Sequence, residues 1–252
     1  VNIALRGLKA SLRKSGLLPR FYHTLNRLHP TFDSLHPANL QAITRALQGS
    51  PPGDYYEFGV YKGFSLWFAT RIADALRNED MRFFGFDSFD GLPEPKGVDR
   101  EPDATGNTFA RGNFCAGLEL VRGFLARHGA DMSRIILIPG FFEDVLAASL
   151  VSQHRMRPAS VILIDCDMYE STSTVLGFLP QILQPGTAVL FDDWMLTDEN
   201  KGQQLAFRQW QETHPEVQVA DFCDFAGGKG FRVTRCAKSG ACRTIESNAT
   251  SG

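Results

Sequence analysis

Asp165 and the pair Asp192-Asp193 each stand where an apolar run stops. The first run is Val161-Ile162-Leu163-Ile164, followed by Asp165-Cys166-Asp167. The second is Ala188-Val189-Leu190-Phe191, followed by Asp192-Asp193-Trp194. Short runs of β-favouring apolar residues read as strands buried on both faces. Acids at the tips of two such strands lie at the carboxyl edge of a parallel sheet, where open α/β sheets bind ligands. Carboxylates converging there repel one another unless a cation or a raised pKa relieves them. Oxygens from Asp165, Asp192 and Asp193 suit a hard divalent cation, with waters or substrate oxygens completing six positions. Such a cation grips two neighbouring hydroxyls and lowers the pKa of one. Asp167 faces the same mouth if the backbone stays extended, and is then a candidate general base. The competing reading is that Asp167 and Asp193 cap the helices immediately after them.

A second set of residues suits an adenosine-containing cofactor. Glu57-Phe58-Gly59-Val60-Tyr61-Lys62-Gly63 ends one strand and opens a helix with the spacing E-x-G-x-x-x-G. Glycines there let the backbone turn sharply and approach a ligand. Glu57-Phe58 stands where the first glycine of a pyrophosphate-binding G-x-G-x-x-G would be. A carboxylate at that point repels phosphate and suits a ligand with an ammonium group, such as S-adenosylmethionine. Asp87 comes thirty positions later at the end of the next strand, where an acid accepts hydrogen bonds from both ribose hydroxyls. None of the six histidines falls at a predicted carboxyl strand end, and neither a G-x-S-x-G elbow nor a P-loop is present.

The elements that must position these groups alternate. Strands are predicted at 55–60, 82–87, 135–139, up to 165 and up to 192. Helices are predicted at 64–76, 113–128, 143–151, 170–183 and 201–213, with Asn113 as a cap. Residues 88–112 form a long loop rich in Gly, Pro and Asp. Two closing strands at 217–222 and 229–235 with no helix between them predict an antiparallel edge hairpin. The fold class is therefore α/β, a doubly wound, mostly parallel sheet. Pro37 opens a further helix, and Ser50-Pro51-Pro52-Gly53 separates that helix from the first strand. Residues 1–50 are expected as a helical arm or lid, 51–236 as the catalytic domain and 237–252 as a frayed tail.

The chain has 252 residues and a formal net charge of −2, which carries no nucleic-acid signature. Residues 1–32 hold six basic residues and no acid, which suits a solvated arm, an anionic contact or a dimer contact. No apolar stretch is long enough for a membrane span, and the start lacks a signal-peptide core. The five cysteines are odd in number and lack zinc spacing, which fits free thiols in a reducing cytoplasm; a Cys236–Cys242 pair is the alternative.

Taken in order, several strings resemble the macrocin O-methyltransferase family. They are the Glu57–Gly63 turn, Gly85-Phe86-Asp87-Ser88-Phe89-Asp90-Gly91-Leu92-Pro93, Gly140-Phe141-Phe142, Asp165-Cys166-Asp167-Met168-Tyr169-Glu170-Ser171-Thr172, and the stretch from Pro185-Gly186 to Asp192-Asp193-Trp194. The match runs from about residue 54 to 235. Val145 and Trp194 depart from the threonine and tyrosine usual in the family, and the N-terminal arm gives no clear match. The resemblance implies a class I methyltransferase fold of seven strands, the last antiparallel. It implies S-adenosylmethionine as methyl donor and magnesium on Asp165, Asp192 and Asp193, with Asp167 as base. Glu57 and Gly59 would line the methionine end of the cofactor, beside Asp165, and Asp87 its ribose. Ser88, Phe89 and Gly91 would sit near the adenosine and Phe141 beside its ring. The acceptor expected is a hydroxyl of a sugar or other vicinal diol in natural-product or glycan biosynthesis. The alternatives are a catechol-like phenol as acceptor, a nucleotide-binding oxidoreductase, or a non-catalytic cofactor-binding scaffold.

Overall fold

The computed structural model describes residues 37–103, 106 and 108–236. The basic arm over 1–36, the tail 237–252 and Cys242 lie outside them. Seven strands form one sheet: β1 Asp54–Phe58, β2 Phe83–Asp87, β3 Ile135–Pro139, β4 Ala159–Ile164, β5 Ala188–Phe191, β6 Gln218–Phe225 and β7 Gly228–Arg235. Their spatial order is β3-β2-β1-β4-β5-β7-β6. The first five run parallel, and β7 runs antiparallel to β5 and β6. The expected doubly wound sheet with an antiparallel edge hairpin is formed. Successive connections diverge between β1 and β4, so a crevice opens at the carboxyl ends of these two strands.

Around the sheet lie α1 Pro37–Gly49, α2 Phe64–Ala75, α3 Leu118–Arg127, α4 Phe142–Val145, α5 Ser149–Gln153, α6 Tyr169–Phe178 and α7 Gly202–Thr213. Every residue of β1, β4 and β5 is buried, which is why β4 and β5 read as near-continuous apolar runs, while β1 buries Asp54 and Glu57 along with its aromatics. Alternate side chains feed two cores. Tyr55 joins Ile43 and Leu47 of α1, together with Leu66 and Leu125. Tyr56 and Phe58 join Val175 of α6 and Phe207 of α7. In-register aromatics tie β1 to β2: Tyr56 stacks on Phe84 at 5.1 Å and Phe58 on Phe86 at 4.7 Å. Helix α1 thus shares the core of the sheet rather than standing apart from it.

Three elements differ from expectation for local reasons. Helix α3 starts at Leu118, not Asn113. Asn113 accepts from the Leu92 N–H, Gly112 donates to the Leu92 carbonyl, and Phe114 takes φ +57°, so this stretch closes the preceding loop. The helix expected at 143–151 divides because Leu146 leaves helical geometry at ψ 59°. Helix α6 ends at Phe178, and Leu179–Gln181 tightens into a 3-10 turn at Pro180, which has no N–H to continue the ladder.

The loop over 88–112 carries a 3-10 turn at Gly97–Arg100. Its buried Asp99 accepts from the Tyr169 and Glu170 N–H groups at 2.7 and 3.1 Å, capping α6 from seventy residues away in sequence. Lys201 pairs with Glu101 and fastens the same loop to the start of α7.

At the amino-end of the sheet the fully buried Asp54 carboxylate accepts from Arg82 Nη2 at 2.6 Å and from Arg157 Nε and Nη2 at 2.9 and 2.5 Å. Two backbone N–H groups add to it. Asp54→Ala should therefore lower unfolding free energy by about 2–3 kcal/mol, read from urea denaturation. An unchanged midpoint would show that this cluster does not hold the strands together.

Candidate active site

The carboxyl ends of β1, β4 and β5 open into a cavity of about 360 Å³. Asp165, Asp167, Asp192 and Asp193 all line it, and so do Gly59, Asp87, Ser88, Gly91 and Phe141. Glu57 and Phe89 are not in the lining; both are buried. Asp165, Asp192 and Asp193 each offer an oxygen within 4.8 Å of the others.

Backbone geometry sets this convergence. The Gly59 N–H donates to the Phe86 carbonyl and the Asp165 N–H to the Phe58 carbonyl, locking the tips of β2, β1 and β4 together. Gly59 has φ +94°, and a Cβ there would lie 1.6 Å from the Asp165 carbonyl oxygen. The glycine is required by the neighbouring strand tip as much as by any ligand. Asp167 does not continue an extended strand, as the sequence suggested; it turns into the left-handed region at φ +58°. That turn brings its N–H to Asp193 Oδ2 at 2.9 Å. Neither Asp167 nor Asp193 caps a helix, since Asp99 caps α6 and Lys201 occupies the cap position of α7.

Side chains from two helices fix the other acids. Asn39 of α1 donates to Asp192 Oδ1 at 2.7 Å. Gln203 of α7 is fully buried, accepts from the Asp193 N–H at 3.1 Å and donates to the Ile164 carbonyl at 3.1 Å. An aromatic group seats the Asp192–Asp193 turn: Trp194 packs on Phe191 and Phe231, each at 5.2 Å, and on Phe207 at 5.7 Å. Asn39 lies 153 residues from Asp192 and Gln203 only ten from Asp193, and no local pattern announces either.

Burial, reinforced by Asp192, Asp193 and Asp167, pushes Asp165 well above the usual carboxylate range. Asp193 is raised in the same way by burial, Asp167 and Asp192. Burial lifts Asp167 to about 7, aided by Asp192 and Asp103. Asp192 rises to about 6 through burial, with the Asn39 bond opposing. Three acids this close and this reluctant to ionise together fit a hard divalent cation, whose charge reverses the balance.

On the cofactor side, Asp87 accepts from the Val60, Tyr61 and Phe89 N–H groups at 2.8, 2.9 and 2.7 Å, fixing the glycine turn to β2. Burial still raises its pKa. Ser88 donates to the Gly91 carbonyl and shapes the turn beneath Leu92 and Pro93. Tyr61 and Phe114 meet edge to face at 5.8 Å and both line the cavity, a wall that no motif in the sequence marks. Glu57 accepts from the Tyr55 hydroxyl at 2.8 Å and the Ser65 hydroxyl at 2.7 Å. Burial pushes it up to about 8, so near neutral pH it favours its protonated form and is bound to protein groups, where the sequence suggested a carboxylate suited to a ligand's ammonium group.

A sheet of this order with a reversed seventh strand, a glycine turn after β1 and an acid closing β2 defines the class I methyltransferase fold. The family profile described as Macrocin-O-methyltransferase (TylF) matches residues 31–225, and the chain belongs to that family. The 8-demethyl-8-(2,3-dimethoxy-alpha-L-rhamnosyl)-tetracenomycin-C 4'-O-methyltransferase of Streptomyces olivaceus is 32% identical over 163 residues, 63% of this chain and 59% of that protein. The mycinamicin III 3''-O-methyltransferase of Micromonospora griseorubida is 28% identical over 162 residues, 63% of this chain and 62% of that protein. These matches span roughly three fifths of each relative's length. Among solved structures, the O-methyltransferase NovP shares the fold with a TM-score of 0.66 at 22% identity, over 79% of this chain and 80% of that one.

The fold keeps Glu57 protonated up to about pH 8, whereas its ordinary pKa is 4.5. The folded state therefore holds the extra proton, and stability from this group declines as pH rises from about 4.5 to 8. Glu57→Gln should flatten the melting temperature against pH in that window. A profile identical to that of the parent protein would mean that Glu57 ionises normally.

Proposed function

We propose that the chain is a metal-dependent O-methyltransferase that moves a methyl group from S-adenosylmethionine to a hydroxyl of a sugar or other vicinal diol, in natural-product or glycan biosynthesis. The observation that carries this reading is the meeting of Asp165, Asp192 and Asp193 within 4.8 Å of one another, with Asp167 lining the same cavity. Family membership and two sugar-directed relatives support it. When bound, S-adenosylmethionine supplies an electrophilic methyl carbon, and the divalent cation makes the acceptor hydroxyl more acidic.

The rest falls to the chain's own groups. Asp165, Asp192 and Asp193 present oxygens to the cation and so fix where a diol docks. Asp167, lifted to about 7, takes the hydroxyl proton near neutral pH. Asp87 keeps acceptor capacity on Oδ1 for a ribose hydroxyl while its three backbone partners hold it in place. Tyr61, Phe114 and Phe141 provide flat apolar surface for an adenine ring. Methyl transfer needs oxygen, carbon and leaving sulfur in line, and a rigid carboxyl edge supplies that alignment. The partner is a small hydroxyl-bearing molecule. Among the described residues no helix is long and apolar enough to cross a membrane.

Asp167→Asn keeps the side-chain shape and removes the base. Turnover should fall by about 10²–10⁴-fold while S-adenosylmethionine affinity, measured by calorimetry, changes little. Near-normal turnover would exclude Asp167 as base.

Cation binding has a signature in stability. Asp192 and Asp167 are raised to about 6 and 7 in the fold. Unfolding releases those protons between about pH 4 and 7, so the metal-free protein loses stability as pH rises through that window. Magnesium competes with protons for these oxygens. Its addition should raise the melting temperature at pH 8 and have little effect at pH 5, and Asp192→Ala should abolish the rise. An equal response at both pH values, or one that survives Asp192→Ala, would sink the three-acid site.

A further inference from the structure

Asn39 sits in the first turn of α1, and the residue is only 7% exposed. Its Nδ2 donates to Asp192 Oδ1 at 2.7 Å, which sets the way the amide faces. The consequence is that Asn39 Oδ1 is buried with no hydrogen-bond partner. Buried acceptors are seldom left so, and one costs about 1–3 kcal/mol. Among the described residues, no other unpartnered buried atom belongs to a side chain bonded to one of the three converging acids. A residue chosen for packing alone would be apolar here, since Ala42, Ile43, Ala46 and Leu47 of the same helix fill the core. The amide is retained at a cost, and among the described residues the one bond its side chain makes is to Asp192.

We propose that Asn39 is a positioning residue of the cation site, which holds the Asp192 carboxylate in its ligating orientation at the expense of fold stability. This rests on the three-acid site proposed above. Helix α1 is held at its other end, where Arg232 Nη1 donates to the Gly49 carbonyl at 2.8 Å. The bond from Asn39 to Asp192 therefore couples the seating of α1 to occupancy of the site. Coupling of this kind is reciprocal: a seated helix strengthens cation binding, and a bound cation steadies the helix.

The test uses Asn39→Leu, which keeps the shape of the side chain and removes both its donor and its unsatisfied acceptor, alongside Asn39→Ala. Mn²⁺ binding to the intact protein is read by electron paramagnetic resonance, with no dependence on turnover. Residues that orient metal ligands typically change affinity about 10–100-fold, and both variants should weaken Mn²⁺ binding by that factor. The melting temperature of metal-free Asn39→Leu should equal or exceed that of the parent, because the orphaned acceptor is gone. Hydrogen exchange in α1 should slow on adding Mn²⁺ to the parent and stay unchanged in Asn39→Leu. A residue that only packs would give the reverse: a lower melting temperature and Mn²⁺ affinity within threefold of the parent, which overturns the proposal. Should Asn39→Ala fail to fold, Asn39→Leu alone decides. If the parent binds no Mn²⁺, the three-acid site fails and this role with it; if the parent binds and Asn39→Leu binds equally well, only this role fails.

Discussion

Four carboxylates brought to one edge of a sheet repel one another, and the rest of this site is arranged around that repulsion. Their half-buried position at the cavity wall weakens the screening that water would give. Asp165 and Asp193 are driven well up, Asp167 to about 7 and Asp192 to about 6. The chain meets this with directed donors rather than with basic side chains. Asp192 receives the Asn39 amide and Asp193 the Asp167 N–H. Neutral donors steady a carboxylate without cancelling its charge, so its capacity to attract a cation remains.

The scaffold frees those acids from structural duties. An aspartate just before a helix would ordinarily cap it, yet the N-terminus of α6 is capped by Asp99 from a distant loop. Asp167 is thereby left facing the cavity. The close approach of Gly59 to the Asp165 carbonyl brings β1 and β4 together at the switch point. On the far side, Phe191, Trp194, Phe207 and Phe231 form a rigid aromatic seat under the Asp192–Asp193 turn. The departure of Trp194 from the family's usual tyrosine is thus absorbed by packing away from the three acids. Opposite, at the amino-end of the sheet, the Asp54 cluster stabilises the strands where no ligand has to fit.

The cavity joins two kinds of surface. One holds acids and suits a cation and a diol; the other combines the Asp87 carboxylate with the Tyr61, Phe114 and Phe141 rings. Glu57 belongs to neither lining. With Tyr55 and Ser65 it forms a neutral hydrogen-bonded cluster inside the sheet.

The sequence by itself determined the strands, their parallel sense and the edge hairpin, because runs such as Val161–Ile164 and the paired closing strands express burial and periodicity locally. It also determined which acids end β2, β4 and β5, since an acid after an apolar run is a local signal. Only the tertiary structure decided how those acids are held and which way each one faces. The start of α3, the left-handed turn at Asp167 and the roles of Asn39, Gln203 and Asp99 depend on partners from ten to more than a hundred residues away, and the inward placement of Glu57 depends on how β1 packs against α2. A hydrogen bond across such a separation leaves no periodicity in the chain, and it exists only once the sheet has brought both groups to the same edge.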